Sequence, residues 1–220
     1  MDERIENARR LYERAVFEGD AAALAEAGRD LDGVEADLAL ARGRLLHTRF
    51  LHQRDDDPGG ACEDPGELPL FERAVRLYRM LGDAGGEAEA LFWVGCFHQV
   101  VRRDNDAAVP ALHRSLELAA QAGNRLTMSE ALRHLGIEAH AAGRLDEARQ
   151  QLEESTRLRR ELGLMPGVAA NLIGLAYIAA AQGRRDDALA ILTEADDLAT
   201  ASGAHRILRS VGEARAAIAD

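Results

Sequence analysis

The chain has 220 residues, of which 47% are apolar and only 4% aromatic, and it carries a formal net charge of −11 at pH 7. This apolar content suffices for a substantial buried core, and the abundance of alanine and leucine favours closely packed helices over sheets. The negative charge argues against general binding to nucleic acid and against docking on anionic membranes. Because the first residues lack an apolar signal core and no run of about 18 apolar residues follows, we expect a soluble protein of the cytoplasm.

The first 53 residues predict three helices. Residues 3–18 place apolar side chains on one helical stripe, and residues 21–31 and 34–53 predict two further helices with a break near Gly33. Residues 54–69, rich in proline, glycine and acidic residues, predict a loop. This loop is either a disordered spacer or a lid that closes over a groove.

Two cysteines are too few for a disulfide framework and fit no zinc spacing. Cys62 lies in the predicted loop and Cys96 on an apolar helix face, so we interpret both as free thiols in a reducing compartment. The histidines show none of the short spacings by which two histidines on one helix bind zinc, so we predict no metal site and no cofactor. A phosphate-binding glycine loop and a nucleophile elbow are also missing.

Repeats become explicit after the loop. Four predicted helices each end in a glycine, and the intervals between these glycines are 41, 40 and 40 residues. A glycine at this place suits the left-handed residue that ends a helix. The four glycines are Gly82, Gly123, Gly163 and Gly203.

Each interval also contains a first helix and an inner turn. The first helices carry a small residue where two helices must approach closely, at Gly95, Gly136 and Ala176. The inner turns fall at Gly143 and Gly183, whereas the repeat that contains the sequence RRDND has one extra residue there. Arrays with a period in this range are helical solenoids.

These residues resemble the tetratricopeptide repeat. The pattern is carried by Leu135-Gly136, Gly143, Ala148 and Leu152, and it recurs in both neighbouring repeats. The 40-residue interval is longer than the usual period of about 34 residues, and it resembles the version found in large bacterial transcriptional regulators; HEAT repeats are the alternative. The resemblance implies an all-α, right-handed solenoid of antiparallel helix hairpins in a single domain. Its parts are N-terminal helices over 1–33, a degenerate first repeat over 34–82, repeats over 85–123, 124–163 and 164–203, and a capping helix over 204–220.

In this family the first helices line a concave groove that binds peptides, partner proteins or small effectors. The inward positions of this chain mix apolar surface with isolated polar groups, the usual make-up of a ligand pocket. They hold no arginine cluster of the kind that clamps a terminal carboxylate. The binding residues that the resemblance implies are Gln53, Glu89, Phe92, Gln99, Glu130, Arg133, His140 and Tyr177, with Leu46, Phe50, Cys96, Ile137, Ala170 and Ile173 as further lining positions.

The histidines offer a candidate catalytic centre. His52 and His98 occupy equivalent positions in FLHQ and CFHQ, and His140 falls one residue later in the next repeat. If the protein is an enzyme, His98 and His140 could approach each other beside a glutamate. The alternative is that His52 and His98 are packing residues satisfied by hydrogen bonds. We also interpret Cys96 as core rather than as a nucleophile, and the arginine-rich run 157–161 as a solvated face.

The function that we predict is an interaction module, whose groove holds a peptide, a helix or a partner protein. A second class is small-molecule handling, either as an effector-binding protein or as an atypical biosynthetic enzyme that uses the groove histidines. A third class is oligomerisation through the apolar faces of the N-terminal helices. Similarity of fold does not choose among these three classes.

Overall fold

The computed structural model describes residues 2–57 and 59–219, so Met1, Pro58 and Asp220 lie outside the described residues. The described chain forms ten α-helices and one π-helical segment, without a strand. Consecutive helices pack against one another within residues 2–122 and within residues 123–219. Helices without a strand over the described residues confirm the predicted all-α class. The helices are α1 (Glu3–Glu18), α2 (Ala21–Asp56), α3 (Glu67–Leu81), α4 (Ala84–Cys96), α5 (Asn105–Ala122), α6 (Arg125–Ala141), α7 (Leu145–Glu161), α8 (Met165–Ala181), α9 (Arg185–Ala201) and α10 (His205–Ala219), and the π-helical segment Phe97–Arg102 follows α4 directly.

The helices group into two compact units, and the single domain expected from the sequence stays a prediction. The first unit is Met1–Ala122 and contains α1 to α5 with the π-helical segment. The second unit is Gly123–Asp220 and contains α6 to α10. In the second unit α8 contacts both α6 and α10, so these three helices form one layer.

Helix α2 is continuous over 36 residues, so the predicted break near Gly33 is wrong. A Cβ atom on Gly33 would lie 3.3 Å from the guanidinium of Arg4, so this glycine leaves room for the Arg4 side chain of α1. The length of α2 serves two partners. Its N-terminal half packs against α1, and its C-terminal half packs against α3. A glycine inside a helix costs only about 1 kcal/mol, which packing on both sides offsets.

The loop between α2 and α3 is shorter than predicted at both ends. Its described residues are 57 and 59–66, because α2 continues through Asp56 and α3 already begins at Glu67. Within the loop, Glu63 accepts two hydrogen bonds from Arg102, at 3.0 and 2.6 Å, at the end of the π-helical segment. The hydrogen bond from this guanidinium holds the pKa of the Glu63 carboxyl below its usual value.

The glycines that end the repeat helices adopt the conformation predicted for them. Their φ angles are positive at Gly82 (71°), Gly123 (68°), Gly163 (73°) and Gly203 (64°), and the inner turns at Gly143 and Gly183 share a φ of 76°. In the remaining repeat Arg103 takes the place of the inner glycine, with a φ of 56°. The one extra residue of that repeat is absorbed by the π-helical segment, since a π-turn contains more residues than an α-turn.

Gly95 lies at a close crossing of α4 and α5, and we expect Gly95→Ala to destabilise the first unit. A Cβ atom on Gly95 would lie 2.6 Å from Leu112 Cγ and 3.2 Å from the Ala108 carbonyl oxygen. Overpacking of this kind costs about 1–3 kcal/mol, which outweighs the gain of about 1 kcal/mol in helix propensity. Urea unfolding of the two proteins measures the difference in the free energy of unfolding.

The matched control for this prediction is Gly28→Ala on α2 of the same unit. No heavy atom lies within 4 Å of a Cβ built on Gly28, so this variant should gain up to about 1 kcal/mol of stability. Shifts of the same sign and size in the two variants would contradict the close crossing at Gly95.

Candidate functional site

Helices α6, α8 and α10 of the second unit line a cavity of about 380 Å³. Half of its lining residues are positions that the resemblance assigned to the groove. The lining residues are Arg133, Gly136, Ile137 and His140 on α6, Leu152 on α7, Ala170, Ile173, Gly174 and Tyr177 on α8, and Ile207, Ser210 and Glu213 on α10. A neighbouring hollow of about 450 Å³ shares His140 and Tyr177 with this cavity.

Two glycines and one leucine form the floor of the cavity. A Cβ atom on Gly136 would lie 3.0 Å from Leu152 Cγ, and one on Gly174 would lie 2.9 Å from Leu152 Cδ1. The missing side chains of the two glycines therefore leave room for Leu152 to enter from α7.

Helix α10 supplies three lining residues that were not predicted, because the segment was interpreted as a cap. The repeat interval of the sequence could have predicted two of these three residues. Adding the 40-residue interval to Ala170 and Ile173 gives Ser210 and Glu213. Helix α10 is thus a first helix in register with α6 and α8, and its turn N-terminal to Ser210 adds Ile207.

The wall of the cavity carries groups of both charges. Arg133 Nη1 donates to the Ala170 carbonyl at 3.2 Å and to Asn171 Oδ1 at 3.3 Å, so α8 holds the guanidinium in place. Glu213 brings an exposed carboxylate on α10. With the three isoleucines of the lining, these groups suit a ligand that is apolar at its centre and polar or charged at its ends.

Arg133 is the outer member of a buried polar network. Asn171 Oδ1 also accepts a hydrogen bond from Arg159 Nη1 at 3.2 Å, and the Asn171 amide donates to Ser155 Oγ at 2.8 Å. The Ser155 hydroxyl in turn donates to the Ser129 carbonyl at 2.5 Å. Asn171, Ser155 and Ser129 are fully buried, so these bonds connect α6, α7 and α8 away from water.

Arg159 contradicts the interpretation of residues 157–161 as a solvated face. The residue is only 9% exposed, because it follows the buried Ser155 by four residues on the same face of α7. Burial lowers the pKa of its guanidinium, and the charge of the nearby Glu130 acts in the opposite direction. The other two arginines of the run do lie on the surface, in ion pairs.

The first unit buries a carboxylate, an imidazole and a thiol in a row. Glu67 Oε1 lies 2.7 Å from His47 Nδ1, and His47 Nε2 lies 3.6 Å from Cys96 Sγ. The three residues come from α3, α2 and α4 and are 0%, 3% and 4% exposed. Both cysteines are free thiols, as predicted, and Cys62 is exposed.

The ring of Trp93 borders this row. It meets the His47 ring edge-on, with centroids 5.4 Å apart, and stacks on Phe71 with centroids 5.7 Å apart. The Arg44 guanidinium lies 5.4 Å from the Trp93 ring centroid. Two buried atoms of this region, Glu67 Oε2 and Trp93 Nε1, have no hydrogen-bond partner within the described part of the chain.

With a proton on Nδ1, His47 can donate to Glu67 and accept from the Cys96 thiol. A base that is oriented by a carboxylate in this way can take a proton from a nucleophile. Cys96 is only 4% exposed, however, so we assign the row a structural role that ties α2 to α3 and α4. The sequence does contain one signal for it, because His47 continues the inward stripe of α2 between Leu40 and Phe50.

The predicted binding residues of the first unit lie in different environments. Glu89 forms an ion pair with Arg44 at 3.0 Å, and Phe92 is only 3% exposed. Gln53 is exposed near the end of α2, whereas Gln99 is half-buried in the π-helical segment. Their role in binding stays a prediction.

The histidines singled out from the sequence differ from one another as well. His98 lies in the π-helical segment of the first unit, and its Nδ1 atom is buried without a hydrogen-bond partner among the described residues. His140 lies in the second unit, where it lines both hollows. His52 is exposed on α2, so its interpretation as a packing residue is wrong. The catalytic role of His98 and His140 stays a prediction.

Residues 2–57 and 59–219 contain no group of three or more histidine, cysteine, aspartate or glutamate side chains placed to hold a metal ion. Over the same residues, none of the helices combines the length and apolar character needed to cross a membrane.

Comparison of the sequence with protein-family models and with curated proteins gave no match. Among solved structures, the chain is similar to BtubC (BKLC) from P. vanneervenii, with a TM-score of 0.53 and 14% sequence identity. The similarity covers 91% of this chain and 90% of that chain. At this identity it shows a shared helical fold and nothing about activity.

Proposed function

We propose that the second unit binds a short segment of a partner polypeptide in the cavity lined by α6, α8 and α10, and that the protein is a cytoplasmic interaction module. We also propose that its repeats are of the tetratricopeptide type. The observation that carries the proposal is the convergence of equivalent repeat positions on one cavity. Arg133 on α6, Ile173 on α8 and Glu213 on α10 follow one another at 40-residue intervals, and all three line it.

Apolar contacts are the first source of affinity. Ile137, Ile173 and Ile207 come from three different helices, and Ile137 is 37% exposed although it lines the cavity. Covering such side chains with an apolar group contributes about 25 cal/mol for each Å² removed from water. An apolar side chain of the bound segment would therefore lie against these isoleucines.

Polar groups of the lining would set the orientation of the segment. Arg133 is held by α8 and offers a fixed cation, while Glu213 offers an anion on α10. The Ser210 hydroxyl and the Tyr177 hydroxyl can bind main-chain groups of an extended peptide. A segment with one apolar residue between an acidic and a basic residue matches this lining best.

A small-molecule effector is the second candidate for the same cavity. The volume of about 380 Å³ falls within the range of roughly 300–1,000 Å³ in which small ligands bind.

Panning of a random peptide library on the immobilised protein tests the proposal. We expect the wild type to enrich peptides that Ile137→Asp binds at least about 10-fold more weakly, because the change removes an apolar contact and introduces a carboxylate that must lose its water when the ligand binds. The matched control is Leu126→Asp, which changes an exposed apolar residue of the same helix outside the cavity lining. Isothermal titration calorimetry of an enriched peptide gives the three dissociation constants.

Peptides that bind Ile137→Asp as tightly as the wild type would contradict the site. Failure to enrich any peptide would contradict the polypeptide partner. Native mass spectrometry of protein purified gently from its own host then tests the effector, whose mass should be retained by the wild type and lost in Ile137→Asp.

A further inference from the structure

Helix α2 exposes four leucines at intervals of seven residues. Leu24, Leu31, Leu38 and Leu45 are 55%, 48%, 47% and 62% exposed. Seven residues are close to two turns of an α-helix, so the four side chains form one stripe about 32 Å long. We call these four residues the leucine stripe. Single exposed leucines are common on protein surfaces, whereas an aligned series of this kind marks a contact surface.

The fold of the first unit does not require the leucine stripe. The other faces of α2 already have partners, since Ala23 packs with Leu11 of α1 and Leu40 packs with Phe71 of α3. These contacts bury small and apolar residues of α2 and leave the leucine stripe in water. Its spacing is that of a helix that pairs with another helix along its length.

Helix α1 adds apolar surface to the same unit. Ile5, Tyr12 and Val16 follow one another at helical spacing on one face and are 37%, 58% and 52% exposed, and Phe17 is 83% exposed. Several large apolar side chains of α1 and α2 therefore stay exposed after the helices of the first unit have packed together.

The charges of α2 indicate what covers the leucine stripe. Glu35, Asp37 and Arg44 already form ion pairs within the chain. Without these three, residues 21–38 contain three acidic residues and one arginine, whereas residues 39–53 contain two arginines and no acidic residue. A helix with opposite charges on its two halves is complementary to itself in the antiparallel orientation and repels itself in the parallel one. A second copy of the chain satisfies this condition without a further partner.

We propose that the leucine stripe pairs with the leucine stripe of a second copy, antiparallel across a two-fold axis. Leu24 then faces Leu45 of the partner subunit, and Leu31 faces Leu38 of the partner subunit. The acidic half of each α2 lies along the basic half of the other. Such an interface uses the same surface on both copies, as closed dimers do. The proposal is independent of the cavity in the second unit.

Sedimentation velocity of the full chain tests the pairing. We expect a wild-type dimer and a dissociation constant at least about 100-fold larger for Leu31→Glu/Leu38→Glu, because four carboxylates would meet at the centre of the interface. Both leucines are about half exposed, so circular dichroism should show an unchanged helical fold. The control Met80→Glu/Leu126→Glu changes two residues that are 72% and 45% exposed outside the leucine stripe and should stay dimeric.

Disulfide cross-linking tests the orientation in the same protein, with Cys62→Ser as background because Cys62 is exposed. A variant that carries both Leu24→Cys and Leu45→Cys should oxidise to a covalent dimer, whereas each single variant should not. A covalent dimer of Leu24→Cys alone, or none with both cysteines, would overturn the antiparallel arrangement. A wild type that is monomeric at tens of micromolar, or a dimer that survives Leu31→Glu/Leu38→Glu, would overturn the interface itself.

Discussion

Replacing Glu67 with leucine should lower the free energy of unfolding of the first unit by about 3–5 kcal/mol. The change removes the carboxylate that lies 2.7 Å from His47 Nδ1, at a place where both residues are almost completely buried. The imidazole is then left without its strongest partner in a site that water does not reach. Urea unfolding can be followed by the fluorescence of Trp93, the single tryptophan of the chain, whose ring contacts His47.

The double variant His47→Leu/Glu67→Leu should recover most of this loss, because it removes both polar groups together and leaves an apolar pair. The control is Glu35→Leu, which breaks an ion pair with Arg73 at 2.8 Å whose partners are 51% and 42% exposed. An exposed pair of this kind contributes about 0–1 kcal/mol. A loss of equal size in Glu35→Leu, or losses that simply add in the double variant, would show that the buried pair has no special role.

Asn171→Leu should lower the free energy of unfolding of the second unit by about 3 kcal/mol. The substitution keeps a side chain of similar size but removes the acceptor of Arg133 and Arg159 and the donor to Ser155. Two guanidinium groups then lose an acceptor, and Arg159 is buried. Urea unfolding followed by circular dichroism measures the loss.

Asn171→Asp is the conservative variant for this network. It keeps an acceptor oxygen toward both arginines and adds a charge of opposite sign, so most of the stability should remain although the donor to Ser155 is lost. If Asn171→Asp were as unstable as Asn171→Leu, the hydrogen bonds to the two arginines would not be the source of the stabilisation.

Much of the fold was predictable because its signals are local. A glycine such as Gly123 ends its helix through its own backbone conformation, and the same residue type at the same interval ends the next one. Gly95 was predicted at a helix crossing from its place in the repeat, and its distance to Leu112 agrees. In the cavity, Arg133, His140 and Tyr177 were assigned from the resemblance to the tetratricopeptide repeat.

The predictions fail where the environment of a residue depends on contacts that its neighbours in sequence do not reveal. Gly33 predicted a break but lies inside α2, because packing against α1 and α3 keeps the helix continuous. Arg159 belongs to a charged run but turns inward to Asn171 on α8. In both cases a contact with a different helix decided the outcome.

By itself, therefore, the sequence determined the all-α class, the 40-residue interval, the helix ends at the repeat glycines and the register that brings equivalent positions to one face. The tertiary structure decided which polar groups are buried together. Glu67 and His47 meet across a loop, and this pairing follows no repeat or short motif. The physical reason is that a backbone conformation depends on adjacent residues, whereas burial of a charge depends on partners that only the packed helices bring within hydrogen-bond distance.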